Sequence, residues 1–132
     1  MNYLRLLAFF ASALFAFAAE PATLTPAEAA KRVAAGTAVL VDCREPSEWA
    51  DSGVAEPAVL LAKSDFDGAQ KTWKPFLEKN AGKEIILYCR SGGRSGEVAN
   101  ALAKQGLKAA NIGTLRAWTK AGLPTRKVDA AK

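Results

Sequence analysis

Glu84-Ile85-Ile86-Leu87-Tyr88 runs without interruption into Cys89-Arg90-Ser91-Gly92-Gly93-Arg94-Ser95, and the reading of this stretch decides the fold. The first five residues follow a Gly-Lys turn and are mostly apolar and β-branched, the pattern of a buried strand. Two adjacent Gly residues then let the backbone curl. Beyond the loop, Val98, Ala99, Leu102 and Ala103 recur at helical spacing until Gly106 stops the helix.

The same alternation extends in both directions. Upstream, Thr25-Pro26-Ala27-Glu28 offers a cap, a proline suited to the first helical position and an acid that reaches back, so a helix is predicted through Ala35. Ala38-Val39-Leu40-Val41 reads as a second buried strand that turns at Asp42-Cys43-Arg44-Glu45-Pro46. Ser47–Ala50 is a brief helical turn, Val59–Leu61 a short strand and Asp65–Gly68 a turn. Ala69–Lys79 is an amphipathic helix that Pro75 kinks or shortens. Downstream, Ala109–Ile112 is a last strand and Leu115–Ala121 a final helical turn carrying Trp118. Gly122 and Pro124 stop that turn, and Val128–Lys132 is a frayed tail. Short apolar strands alternating with helices predict an α/β fold with a small parallel β-sheet and helices on both faces.

The chain has 132 residues, a length suited to one domain of about 100–200 residues. Arg5 precedes an apolar run from Leu6 to Phe17, and Ala16-Phe17-Ala18 places small residues before a cut, the layout of a secretory signal peptide. The apolar run is shorter than the roughly 20 residues of a spanning helix, so no stable membrane anchor is expected after cleavage. Residues 1–18 are therefore read as the signal peptide and 19–132 as one domain with its core at about 25–127. The mature chain is expected to be exported, periplasmic or secreted. Cleavage removes Arg5 and no acid, which lowers the net charge of +5 by one. A modest basic balance suits small anions. The Lys residues are scattered rather than striped, which argues against nucleic acid.

The chain has no His, which excludes Ser-His-Asp and Cys-His catalysis and His metal ligands. No metal or other cofactor is expected, and a thiolate or carboxylate must carry any chemistry. Cys89 sits where a parallel sheet binds ligands, at the carboxyl end of its strongest strand. The glycine loop points N–H groups inward, the following helix adds its positive end, and Arg90 and Arg94 add two charges. Each favours thiolate, so Cys89 is predicted to ionise below the usual value of about 8.5 and to act as a nucleophile that needs no base. The plain alternative is a buried structural thiol, the better reading for Cys43. No Gly-Lys-Ser/Thr follows the glycines, so the loop is not a Walker phosphate loop.

These residues resemble the single-domain rhodaneses, a sulfurtransferase family, and most closely their small exported phage-shock-protein-E type. Cys89-Arg90-Ser91-Gly92-Gly93-Arg94-Ser95 is similar to the family's Cys-Arg-x-Gly-x-Arg-Ser loop. Val41-Asp42-Cys43-Arg44-Glu45-Pro46-Ser47-Glu48-Trp49 is similar to its Val-Asp-Val-Arg-Glu-x-x-Glu-Phe stretch, with Cys43 where Val is usual. Gly113-Thr114-Leu115-Arg116-Ala117-Trp118 and Ala121-Gly122-Leu123-Pro124 resemble its closing segment, with Thr114 in place of a second Gly. The family's Gly-His-Ile-Pro-Gly-Ala has become Gly53-Val54-Ala55-Glu56-Pro57-Ala58, its His lost. Related phosphatases and arsenate reductases carry five residues between Cys and Arg, and here four separate Cys89 from Arg94.

The resemblance implies a double displacement in which Cys89 takes sulfur from a small anionic donor such as thiosulfate and passes it to a thiol or cyanide. Arg90, Ser91, Gly92, Gly93, Arg94 and Ser95 would bind substrate and persulfide, with Arg90 and Arg94 drawing the anion and Ser91 and Ser95 offering hydroxyls. Asp42, Arg44 and Glu48 would brace the loop by ion pairs, and Trp49 and Trp118 would be core. The rival reading is a thiol redox or persulfide-carrier module with little turnover, since strands ending in Cys43 and Cys89 could lie side by side and form a disulfide. Nothing in the sequence names a protein partner.

Overall fold

The computed structural model describes residues 20–130; the residues read as a signal peptide lie outside them. The chain runs β1 (Ala22–Thr23), α1 (Pro26–Ala34), β2 (Ala38–Asp42), α2 (Pro46–Ser52), β3 (Val54–Ala55), β4 (Val59–Leu60) and α3 (Lys63–Asp67). It continues with α4 (Trp73–Lys79), β5 (Glu84–Cys89), α5 (Gly93–Lys104), β6 (Ala109–Thr114), α6 (Leu115–Lys120) and β7 (Thr125–Arg126). Five strands form a parallel sheet in the order β1-β6-β5-β2-β4, while β3 and β7 make a separate antiparallel pair.

Alternation along the central strands sorts the core into two layers, because successive side chains leave a strand on opposite faces. Ile85, Leu87 and Cys89 of β5 join Val41 and Cys43 against Trp73, Phe76, Val98, Ala99 and Leu102. Ile86 and Tyr88 join Leu40 against Ala29 and Trp118 on the other face. Trp73 and Trp118 are fully buried, and truncating either to Ala would cost about 3–5 kcal/mol. The predicted α/β fold, a parallel sheet with helices on both faces, is the observed one. Among the described residues no helix is long and apolar enough to cross a membrane.

Local chemistry explains the boundaries. Thr25 caps α1, its hydroxyl oxygen accepting from the Glu28 amide at 3.2 Å, with Pro26 opening the helix. Residues 65–68, expected as a turn, are mostly helical: α3 starts at Lys63, whose ammonium meets Asp67 at 2.6 Å one turn on. Of the two effects expected of Pro75, the helix shows the shortening. The helix starts late, at Trp73, so the proline falls in the first turn, where no intrahelical N–H is needed. Ala109–Ile112 extends to Thr114, and β7 rather than this strand is the last.

Candidate active site

Cys89 is the last residue of β5, with β6 on one flank and β2 on the other, and α5 starts four residues later. The connection is tight because Gly92 adopts φ +89°, a left-handed conformation that costs other residues energy. That turn aims the Gly92 N–H at the Cys89 sulfur, 3.0 Å away. The first turn of α5 supplies two more donors, the Ser95 hydroxyl at 3.3 Å and the Ser95 amide at 3.4 Å. Arg90 and Ser91 face solvent, while Cys89 and Ser95 have no exposed surface.

The Cys43 thiol is the fourth neighbour. Asp42 pairs with Tyr88 across β2 and β5, so the next residues, Cys43 and Cys89, stand opposite each other. The Cys43 amide donates to the Tyr88 carbonyl at 3.2 Å, Cys43 Sγ lies 3.4 Å from the same oxygen, and no disulfide joins the two cysteines. Hydrogen bonding from the Cys43 thiol, then from the Ser95 hydroxyl, the Ser95 amide and the Ser91 amide, lowers the Cys89 pKa to about 4 against the opposing effect of burial. Cys43 is pushed the other way, first by that same hydrogen bond and then by burial, so it stays a thiol.

The charged residues are arranged differently from the expectation. Arg94 does not point free towards a substrate; its guanidinium grips Glu48 through two bonds of 2.6 and 2.9 Å. This pairing lowers the Glu48 pKa to about 2 and raises that of Arg94. Glu48 is set for this role by its position in the first turn of α2, where it also accepts from the Glu45 amide at 3.2 Å. Among the described residues, the side-chain hydrogen bonds of Asp42 and Arg44 go to each other and to Trp49, Glu48, Ser52 and Gly53 rather than to the 89–95 loop. Arg44 is buried, binds both Asp42 carboxylate oxygens, and donates to Ser52 and to the Gly53 carbonyl, each at 2.6 Å. They fasten α2 to β2, and α2 in turn presents Glu48 to Arg94. Trp118 is core, but Trp49 is only half-buried and donates its indole N–H to Asp42 at 3.1 Å.

One contributor was missed. Asn111 of β6 accepts from the Ser95 hydroxyl at 2.9 Å and from the Gly113 amide at 2.9 Å, and donates to the Gly92 carbonyl at 3.3 Å. It ties together the two loop residues that face the sulfur. Asn at a strand position is the signal that could have found it, since strands are poor in Asn. Beside the loop, an open depression is lined by Arg44, Ser52, Arg90, Leu115, Arg116 and Thr119. No group of three metal-binding side chains occurs among the described residues.

The sulfur of Cys89 is thus held by backbone amides at the end of a central parallel strand. The sequence model of the rhodanese-like domain matches residues 25–121. The chain belongs to the rhodanese-like domain family. It is 35% identical over 85 residues to a fission-yeast (Schizosaccharomyces pombe) protein named "Putative thiosulfate sulfurtransferase, mitochondrial", covering 57% of this chain and 56% of that one. Over 80 residues it is 38% identical to a Bacillus subtilis protein named "Putative sulfurtransferase", covering 60% and 71%. Among solved structures, a Rhodopseudomonas palustris protein of unknown function, described as a "Possible Tyrosine Phosphatase", superposes with a TM-score of 0.65 at 28% identity, covering 80% of this chain and 85% of that one. The rhodanese-like chain spans about half the length of two of the curated relatives it matches.

Proposed function

We propose that this chain is a sulfurtransferase that carries sulfur as a persulfide on Cys89. The thiolate attacks the outer sulfur of a small anionic donor such as thiosulfate, the S–S bond breaks, and sulfite leaves with the electron pair. A thiol or cyanide then attacks the outer sulfur of the persulfide and restores the thiolate. The observation that carries this reading is the N–H and O–H ring around Sγ, with Gly92 at 3.0 Å and Ser95 at 3.3 and 3.4 Å. Such donors keep the thiolate ionised at neutral pH. They also stand ready for the charge that moves to the outer sulfur, as an oxyanion hole does for oxygen. The sulfurtransferase names of the yeast and Bacillus relatives support the same chemistry. Arg90 and Arg116, exposed around the neighbouring depression, supply the field that draws an anion. The apolar, Arg-led leader of the sequence supports an exported setting for this reaction.

A carrier with little turnover is the second reading, favoured by the buried sulfur and by the thiol of Cys43 beside it. Thiocyanate formation from thiosulfate and cyanide separates the two. The transferase turns over repeatedly, with ping-pong kinetics, and Cys89→Ser abolishes product while its circular dichroism and thermal unfolding stay those of a folded protein. Loss of activity in Cys43→Ser with full activity in Cys89→Ser would refute the assignment, and a single stoichiometric sulfite burst without turnover would select the carrier.

A further inference from the structure

The second cysteine neither takes nor gives sulfur in the transfer just described, and its placement gives it chemistry of its own. Register carries β2 and β5 through Asp42 and Tyr88, so Cys43 and Cys89 are the next residues across the same pair of strands. Adjacent parallel strands lie about 4.8 Å apart, inside the roughly 4.4–6.8 Å Cα window of a disulfide. Both side chains enter the same core layer, and both are wholly buried. Ser95 approaches Sγ from the β6 flank, where Asn111 holds it, while Cys43 approaches from the β2 flank. An outer sulfur received by the loop amides therefore lies away from Cys43, leaving the inner sulfur between the attacking thiol and the departing atom.

We propose that Cys43 is a resolving cysteine that discharges the Cys89 persulfide inside the molecule, releasing hydrosulfide and leaving a Cys43–Cys89 disulfide for an external dithiol to reduce. The inference rests on the sulfurtransferase reading, because it needs the persulfide as its substrate. In the step, Cys43 Sγ attacks Cys89 Sγ, a new S–S bond forms, and the bond from Cys89 Sγ to the outer sulfur breaks. The outer sulfur leaves with the electron pair and takes the Cys43 proton, so that Cys43–SH and Cys89–S–S⁻ become the disulfide and HS⁻. The two thiols are oxidised by two electrons and the outer sulfur is reduced. A dithiol then returns both cysteines to the starting state through a mixed disulfide.

The resting charges suit this order of events. While Cys89 is a thiolate, Cys43 is held as a thiol and cannot compete for the donor. Persulfide formation moves the negative charge outward by one S–S bond, about 2.05 Å, and relaxes that hold. The net reaction makes the protein a source of sulfide at the expense of a dithiol, besides a donor of sulfur to cyanide or thiols.

A single turnover without added thiol tests this. Reduced protein, freed of reductant, is mixed with one equivalent of thiosulfate, quenched in acid, and read for sulfite, sulfide and intact mass. The wild type should give one equivalent each of sulfite and sulfide and a mass about 2 Da below the reduced chain. Cys43→Ala and Cys43→Val should give sulfite without sulfide and stay about 32 Da heavy. The two variants differ in volume, so a packing defect in one leaves the other as the control. Persistence of the heavy form in the wild type, or equal sulfide from wild type and both variants, would overturn the role of Cys43 while leaving sulfur transfer standing. Failure of the wild type to make sulfite would instead remove the transferase reading, and this inference with it.

Discussion

Replacing Ser95 by Ala removes one of the donors around Sγ, and its effect follows from how that hydroxyl divides its proton. The hydroxyl lies 3.3 Å from Cys89 Sγ, 3.2 Å from the Gly92 carbonyl and 2.9 Å from Asn111 Oδ1. It has one hydrogen to give. A hydrogen bond to a charged group contributes about 1.5–3 kcal/mol, or roughly 1–2 units at about 1.36 kcal/mol per unit. Competition from Asn111 puts this bond at the lower end, so Ser95→Ala should raise the Cys89 pKa by about one unit. Starting from about 4, the variant still ionises well below an ordinary thiol, whose value is about 8.5. The rate consequence changes sign with pH. At pH 7 both proteins are fully ionised, and the more basic thiolate is the better nucleophile, so with a Brønsted slope of about 0.4–0.5 the variant should alkylate roughly threefold faster. At pH 4 the variant holds about one-tenth thiolate against about one-half in the wild type, so it should be about twofold slower. Iodoacetamide labelling from pH 3 to 9, followed by intact mass and peptide mapping to separate Cys89 from Cys43, reads both limbs. A wild-type midpoint near that of a free thiol, or curves that do not cross between pH 4 and 7, would refute the donor-ring account.

Two further substitutions probe the frame around the sulfur. Asp42→Asn removes the carboxylate that neutralises the buried Arg44 guanidinium, and leaving that charge unpaired should cost about 3–5 kcal/mol in urea unfolding; a loss below about 1 kcal/mol would show that Ser52 and the Gly53 carbonyl hold Arg44 without it. Gly92→Ala has room, since its Cβ would lie 3.5 Å from Gly113 Cα, so its penalty is conformational. It should lower stability by about 1–2 kcal/mol and raise the Cys89 labelling midpoint as the Gly92 N–H turns from Sγ; an unchanged midpoint would mean that the turn does not aim this donor.

The sequence reveals the site wherever the determinants are local. Apolar residues ending in Cys89, two glycines and a new helical period are contiguous, so the strand, loop and helix are all legible. β1, β3 and β7 are two residues each, too short to carry a period, and exist because a neighbour pairs with them. The Arg94 pairing is hidden for another reason. Glu48 is 46 residues away and reaches Arg94 only because Asp42 and Arg44 dock α2. A run of charges shows that ion pairs will form without showing which. The neighbourhood of Cys43 was partly legible, since two strands ending in cysteine could be adjacent, but only strand order and register place them opposite each other.

That hidden pairing bears on which anion the loop suits. A free arginine beside the nucleophile would put a full positive charge where a transferred group develops its own, as phosphoryl transfer requires for charge spread over three oxygens. Here Glu48 takes both bonds of the Arg94 guanidinium fork, so the pair is neutral as a unit and Arg94 is not a free cation. What remains is dipolar: the N–H groups of Gly92 and Ser95, the Ser95 hydroxyl and the start of α5. Such a field stabilises one diffuse negative charge on the sulfur at short range, but sets no full positive charge against the three oxygens of a transferring phosphoryl group. Persulfide carries one such charge on a large, polarisable atom. The short loop and the occupied arginine thus favour the same chemistry by separate routes, one through the space around the sulfur and the other through the charge left to act on it.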